Sequence, residues 1–501
     1  MSSTKPRRST SLQVLAFLAF LAFLVAPALS WGDSKDDKKP APPPKPAPAA
    51  PRAPAPASHP AGQPASAQGQ QHPLGPGSTA NGTRPTGGPG SGYKPPSRTT
   101  PGPATPNQHP LVSKTTGPPR TTTTVRVGNS SATVTQRPGG RVATIQTNGM
   151  TISHPLRGPT TVVAERNGRT IVTTGRQGGY VQRPYFTRNG RSYVQRTYVV
   201  GGRTYVSVYR KYTYGGYGFY GYAPAYYYHP VFYGWAYNPW AAPVVYGPAA
   251  WGWAGAPWYG YYGGYFAPYP AYANASQWLT DYLLAANLQA AYAANAEASP
   301  AGAPPPGAAD PAASRQSQLS PEVKQMIAEE VKQQLAAAQA SPAAKGAVPT
   351  GDQLPDALNP AERIFVVSSH LDVATPDGKE CGLAPGDVVM RMTDSPDASQ
   401  QVSASVQSSK KADCAAGQTV SIGVQDLQEM HNQFRQQLDS GLQTLAANAG
   451  KGGLPAAPDT TTTSGEVPAP TADASAAAQL TSVQREAEAT DHAVQQGGSG
   501  G

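Results

Sequence analysis

The chain has 501 residues, a formal net charge of +10, and 54 Pro and 53 Gly. That much Pro and Gly excludes a protein packed along its whole length, and two cysteines without clustered histidines exclude a structural zinc site. The net charge hides an asymmetry: residues 111–211 hold 16 Lys and Arg against the single acid Glu165, whereas residues 301–501 hold 23 acids against 12 bases. A basic module is tied to an acidic one.

Residues 1–30 read as a signal peptide. Lys5, Arg7 and Arg8 precede an apolar run from Val14 to Ala26, and Ala28-Leu29-Ser30 supplies small residues for cleavage. The apolar run is shorter than the roughly 20 residues a membrane helix needs, which favours cleavage over retention as an anchor. No Cys follows the cleavage region, against a lipoprotein. The expected location is the periplasm, the outer membrane or the cell surface. Residues 31–120, as in "KKPAPPPKPAPAAPRAPAPA", form a Pro/Ala-rich disordered tether that cannot bury enough apolar surface to offset its ordering entropy.

Over 121–211 turn signals recur at Gly139-Gly140, Asn148-Gly149, Arg157-Gly158, Asn167-Gly168, Gly178-Gly179, Asn189-Gly190 and Gly201-Gly202, between segments rich in Thr, Val, Ile and Tyr. This predicts a basic β-meander of about seven strands. "NGRTIV" at Asn167, "NGRSYV" at Asn189 and "GGRTYV" at Gly201 form a degenerate internal repeat. In "RTYVSVYRK" strand alternation sets Arg203, Tyr205, Ser207, Tyr209 and Lys211 on one face and Thr204, Val206, Val208 and Arg210 on the other. Rings flanked by cations can stack on sugars while neutralising anions. The same tyrosines can equally be cross-strand packing partners, with the arginines as solvated edge charges. The candidate polymer-binding residues are Arg191, Tyr193, Arg203, Tyr205, Tyr209 and Lys211, with Trp235 and Trp240 in support.

Residues 212–273 are Tyr/Gly/Trp-rich and carry no formal charge. Three readings compete: a layer of rings covering the meander, a glycan-facing aromatic surface, and a self-association or membrane contact. The preferred cover is intramolecular, with rings stacked on the meander's Tyr face and on the helix that follows. That helix, 274–298, starts at a capping box of Asn274 and Gln277, and Trp278, Leu284, Leu288 and Tyr292 lie on its apolar side. After a linker at 299–318, an amphipathic helix at 319–340 has Ser320 as its cap, Pro321 in its first turn, and Val323, Ile327, Val331 and Leu335 at helical spacing.

Residues 352–450 read as a small C-terminal α+β domain. "RIFVVSSHLDVA" and "QTVSIGV" are strands, "CGLAPGDVVMRM" is a turn feeding a strand, and Leu427, Met430, Phe434, Leu438, Leu442 and Leu445 line one side of a helix. Gly382 to Met392 resembles the turn and strand of PDZ domains in exported bacterial proteases, and the same Pro-Gly-Asp turn occurs in SH3-like barrels. That resemblance implies a peptide-binding fold, but the carboxylate-binding loop of a PDZ domain is not evident. A disulfide between Cys381 and Cys414 would contribute about 4 kcal/mol by the chain-entropy model; two free buried thiols are the alternative. The tail at 451–501 returns to Ala, Thr, Pro and Gly and is expected to be disordered.

No metalloprotease helix, nucleophile elbow or phosphate loop occurs. Ser368, His370 and Asp372 would share one face of a strand, about 6 to 7 Å apart, too far for the successive hydrogen bonds of a triad. The overall pattern resembles uncharacterised exported bacterial envelope proteins that join a Tyr/Gly-rich region to a small C-terminal domain, which implies no activity. The fold expectation is a multidomain chain with extensive disorder: a β-meander, an aromatic low-complexity segment with a helix, and a PDZ-like or SH3-like α+β domain. The functional expectation is a non-enzymatic envelope protein that binds or organises an anionic or glycan polymer such as peptidoglycan or exopolysaccharide. It would need no cofactor and no metal, and would take no small-molecule substrate and no intracellular nucleic acid. Alternatively, the C-terminal domain is a protein-interaction module for an envelope or secretion partner.

Overall fold

Asn167 and Gly168 sit at φ 51° and 72°, and Asn189 and Gly190 repeat the same pair of angles. Two consecutive positive φ values make a type I′ turn, whose twist matches that of the strands it joins. The computed structural model describes residues 120–128, 130–147, 149–175, 178–200, 202–298, 318–340, 353–410 and 413–498. The signal peptide, the tether up to residue 119, Asn148, Gly201, and most of the linkers at 299–317 and 341–352 lie outside these residues.

The first sheet is an antiparallel meander in strict chain order: β1 (Thr121–Val127), β2 (Ser130–Gln136), β3 (Val142–Thr147), β4 (Met150–Ser153), β5 (Thr161–Arg166), β6 (Arg169–Thr174), β7 (Gly178–Arg188), β8 (Arg191–Val200), β9 (Arg203–Tyr214) and β10 (Tyr217–Ala223). It has ten strands rather than about seven. Gly128 (φ 58°) and the pair Gly215 and Gly216 (φ 56° and 82°) add turns outside the recurrent set. Gly178-Gly179 is not a turn but the start of β7. The sheet therefore takes in the first twelve residues of the aromatic segment.

The rest of that segment folds as β11 (Tyr226–Tyr228), α1 (Pro230–Tyr237), β12 (Pro239–Val244), α2 (Pro257–Tyr262) and β13 (Tyr272–Asn274), leading into α3 (Ala275–Ala298). Asn274 caps α3 by accepting from the Gln277 N–H at 3.0 Å, and the Gln277 side chain accepts from the Ala273 N–H at 2.8 Å. Rings from Tyr228 to Tyr272 pack around α3 and α4 (Pro321–Ala340). Trp251, for example, stacks on Trp278 at 4.3 Å and on Trp253 at 4.4 Å. The rings from Tyr228 onward are thus covered within the molecule by the Trp278 helix; of the segment, Tyr220 and Tyr222 pack on the meander's Tyr face, Tyr222 with its ring 6.1 Å from that of Tyr209, and the rest of that face has another partner.

That partner comes from the C-terminal half. Beyond a 3-10 turn at Asp356–Leu358, β14 (Ile364–Val366), β15 (Leu371–Ala374), β16 (Glu380–Leu383), β17 (Val388–Arg391), β18 (Gln401–Ser408) and β19 (Thr419–Gly423) form a six-stranded sheet in the order β14-β17-β18-β19-β15-β16. α5 (Val424–Asn448) follows. Leu427 and Met430 of α5 enter the core of this sheet, together with Phe219 of β10. Phe434, Leu438, Leu442 and Leu445 enter the aromatic core, which Val366 and Val388 also join. With its cores shared in this way, the expected C-terminal domain is not a separate unit. Its cysteines, Cys381 and Cys414, are joined in a disulfide, the bond of an oxidising, exported compartment. No helix among the described residues is long and apolar enough to cross a membrane.

The polar side of α5 lies on the meander. Gln425 donates to the Gly218 carbonyl at 2.9 Å, while Asn432 donates to the Tyr220 carbonyl at 2.7 Å and accepts from the Tyr222 N–H at 2.9 Å. These side chains cap the outer edge of β10, the last strand of the sheet. The tail also differs from expectation. Thr462–Ser464 (β20) pairs with β11, and Ala476–Gly498 forms α6. Ala476, Leu480, Val483, Ala487 and Val494 of α6 cover the aliphatic face formed by Ala132, Val134, Ile145, Ile152, Ala164, Ile171 and Val181. The Ala/Thr-rich composition conceals a helical apolar repeat, and a half-apolar sheet face supplies its partner.

Candidate functional site

The charge asymmetry of the sequence is resolved in part inside the molecule. Arg137 pairs with Asp372 and with Glu380 (3.0 Å), and Arg120 also reaches Glu380. Arg157 meets Asp413 at 3.3 Å, Arg166 meets Glu486 at 2.8 Å, and Arg169 meets Asp473 at 2.7 Å. Arg196 pairs with Glu429, and Arg210 lies 3.6 Å from Glu466. Every acid in these pairs lies in the C-terminal half.

Several of the sequence-derived candidates are consumed by packing. Tyr209 is fully buried; its hydroxyl lies 2.6 Å from that of Tyr198 and 3.3 Å from Gln436 Oε1. Burial pushes the pKa values of both tyrosines well above the usual range. The Arg196 guanidinium, also fully buried, lies over the rings of Tyr209 (4.2 Å) and Tyr180 (4.7 Å) and donates to Gln182 Oε1 at 2.9 Å. Tyr193 is buried, stacks on Phe186 at 4.6 Å and donates to Glu466 Oε1 at 3.0 Å; burial and then the Glu466 charge raise its pKa. Trp240 is buried and Trp235 half-buried in the aromatic core, their rings 5.6 Å apart.

The remaining candidates are divided between the two faces. Tyr193 pairs with Arg210, so Arg191 and Tyr193 lie on the opposite face from Arg203, Tyr205, Tyr209 and Lys211. Arg203 and Tyr205 sit beside the β8–β9 turn. Tyr205 is 39% exposed, with one ring face against Tyr198 at 4.8 Å. Lys211 is exposed eight residues along β9, roughly 26 Å away.

A different group emerges from the internal repeat. Arg-Asn-Gly-Arg occurs twice, at 166–169 and at 188–191, and in both hairpins the two arginines face each other directly across the strands. Like charges placed so are unfavourable by about 0.2–1 kcal/mol unless an anion relieves them. In the first hairpin the relief is internal: Glu486 takes Arg166, and Asp473 takes Arg169. In the second, no ion pair to Arg188 or Arg191 exists among the described residues. Arg188 is exposed and Arg191 half-buried, with half-buried Phe186 and Tyr185 beside them, their rings 5.0 Å apart. The sequence reading included Arg191 but missed Arg188, Tyr185 and Phe186, although the repeated Arg-Asn-Gly-Arg was visible.

Ser368 and His370 lie in the loop before β15, and only Asp372 is on the strand. Asp372 accepts from the Leu156 N–H at 2.8 Å and is held by Arg137. Among the described residues no three His, Cys, Asp or Glu side chains converge as metal ligands. No protein family, curated protein or solved structure matches the chain.

Proposed function

We propose that this is a non-catalytic exported protein of the cell envelope that binds a polymer bearing carboxylates, such as peptidoglycan or an acidic exopolysaccharide, through the β7–β8 hairpin tip. One observation carries the reading: of two identical Arg-Asn-Gly-Arg hairpins, one grips two carboxylates of its own chain and the other, among the described residues, grips none. Arginine is suited to carboxylates because its planar fork matches them. Phe186 and Tyr185 supply ring surface for a sugar. Arg203 and Tyr205, near the other end of β9, form a second and smaller contact of the same kind.

The alternative, a PDZ-like or SH3-like module for an envelope partner, has less support. Strand addition needs a free edge. At the edge strand β16, Glu380 is held by Arg120 and Arg137, and the Gly382 N–H donates to Asp413 at 2.8 Å.

The test is co-sedimentation of residues 31–501 with insoluble peptidoglycan and with a gel of acidic polysaccharide, over a range of salt. Retention at low salt should fall as salt rises, and Arg188→Ser/Arg191→Ser should weaken it roughly tenfold or more. Equal retention of the double variant, or no retention at low salt, sinks the proposal.

A further inference from the structure

The ten-stranded sheet ends in two edges that the chain treats differently. At β10 the side chains of Gln425 and Asn432 occupy three outward backbone groups. At β1, among the described residues, the backbone pairs only with β2. Five of its seven residues are exposed, and "TTTTVRV" contains no Pro, no acid and one cation, Arg126. The two-residue turn from Val127 to Ser130 makes that pair hydrogen-bonded. Residues 121, 123, 125 and 127 therefore bond β2, and Thr122, Thr124 and Arg126 present their N–H and C=O groups outward.

We infer that β1 pairs antiparallel with β1 of a second copy, continuing the sheet across a two-fold axis. The strand is self-complementary in one register. With Thr124 opposite Thr124, Thr122 opposes Arg126, and all three outward residues of each copy meet outward residues. Centring on Thr123 sets Arg126 against Arg120, a like-charge pair. Centring on Val125 carries Thr122 into the turn at Gly128. The capped β10 edge fixes the assembly size: with one open edge of the ten-stranded sheet per copy among the described residues, the contact is isologous and closes at two, whereas two open edges of that sheet would permit a filament.

The test uses residues 31–501 by sedimentation velocity over a wide concentration range, with three variants. A dimer is expected. Thr124→Pro removes an outward N–H without touching the β2 ladder, and should raise the dimer dissociation constant roughly tenfold or more. Thr124→Lys sets two cations face to face and should do the same if the Pro variant folds poorly. Opposed Cα atoms in this pair lie about 5.5 Å apart, within disulfide reach, so Thr124→Cys should yield a covalent dimer on oxidation, unlike the exposed Thr213→Cys control. A monomer at every concentration overturns the inference, including one whose Thr122 and Thr124 amides are protected by pairing with the chain's own first 119 residues. So does a dimer that ignores Thr124→Lys and gives no Thr124→Cys cross-link.

Discussion

Glu429 supplies the counter-charge to a guanidinium sealed beneath α5. Arg196 is fully buried, and its only ion pair among the described residues is with Glu429. A buried pair of this kind adds little over an apolar replacement, but removing one partner strands the other. Glu429→Ala should therefore lower unfolding stability by about 3–5 kcal/mol, measured in urea, and Arg196→Met added to Glu429→Leu should recover most of it. A small effect of Glu429→Ala would mean that water reaches Arg196. This is also where residue-level reading of the sequence stops. Alternation correctly set Tyr205 and Tyr209 on one face of β9, but nothing local to β9 reports that Gln436, more than 200 residues away, lies over Tyr209. Alternation within one strand also cannot fix the neighbour's register, so Tyr193 was grouped with residues of the opposite face.

Among the elements, α4 docks through both an apolar stripe and a titrating cluster. Gln334 of α4 donates to Glu330 Oε1 (3.0 Å) and to Glu362 Oε2 (2.6 Å), and His431 of α5 lies 2.8 Å from Glu362. Burial raises the Glu330 pKa to about 7. Burial works against the His431 cation too, yet the Glu362 hydrogen bond and charge hold its pKa above the usual histidine value. Burial likewise opposes Glu362, whose pKa His431 nevertheless brings below the ordinary 4.5. Raised pKa values at Glu330 and His431 mean that the folded state holds more protons. Their stabilisation is complete below the unfolded values of 4.5 and 6.5 and is lost as pH rises through the folded ones. Glu362 acts oppositely, losing its contribution as pH falls through its lowered value. Thermal stability should thus decline between pH 5 and 8, by up to about 3 kcal/mol from Glu330. Glu330→Gln should flatten that decline and be the more stable form at pH 8; parallel pH profiles for the two proteins would refute the assignment. The helix starts and apolar stripes were legible because caps and 3.6-residue periodicity are local. The docking of polar side chains was not: Gln425, Asn432 and Gln436 look in sequence like the solvent side of a helix, yet they cap a sheet edge and cover a sheet face.

For the whole molecule, the opposite charges of the two halves act as an internal glue. The acids at Asp372, Glu380, Asp413, Glu429, Glu466, Asp473 and Glu486 bind arginines of the meander. Composition showed the imbalance but not whether it was spent inside the chain or on a ligand, because pairing across hundreds of residues leaves no local mark. The way α5 closes β10 bears on how the protein is made. Each meander strand meets its neighbour through a short hairpin and can zip up early, but the residues that shield its last edge are synthesised some 200 positions later. Such non-local closure is slow, and until it happens both edges of a long sheet are open. A chain ending before Val424 should therefore form a β-rich species that clumps, while one ending at residue 498 stays dispersed, as light scattering during refolding would show. A soluble, monomeric short chain would mean that the meander guards its own edge. The exported protein would then have a vulnerable interval set by the arrival of α5, a demand on holding chaperones that the finished fold gives no sign of.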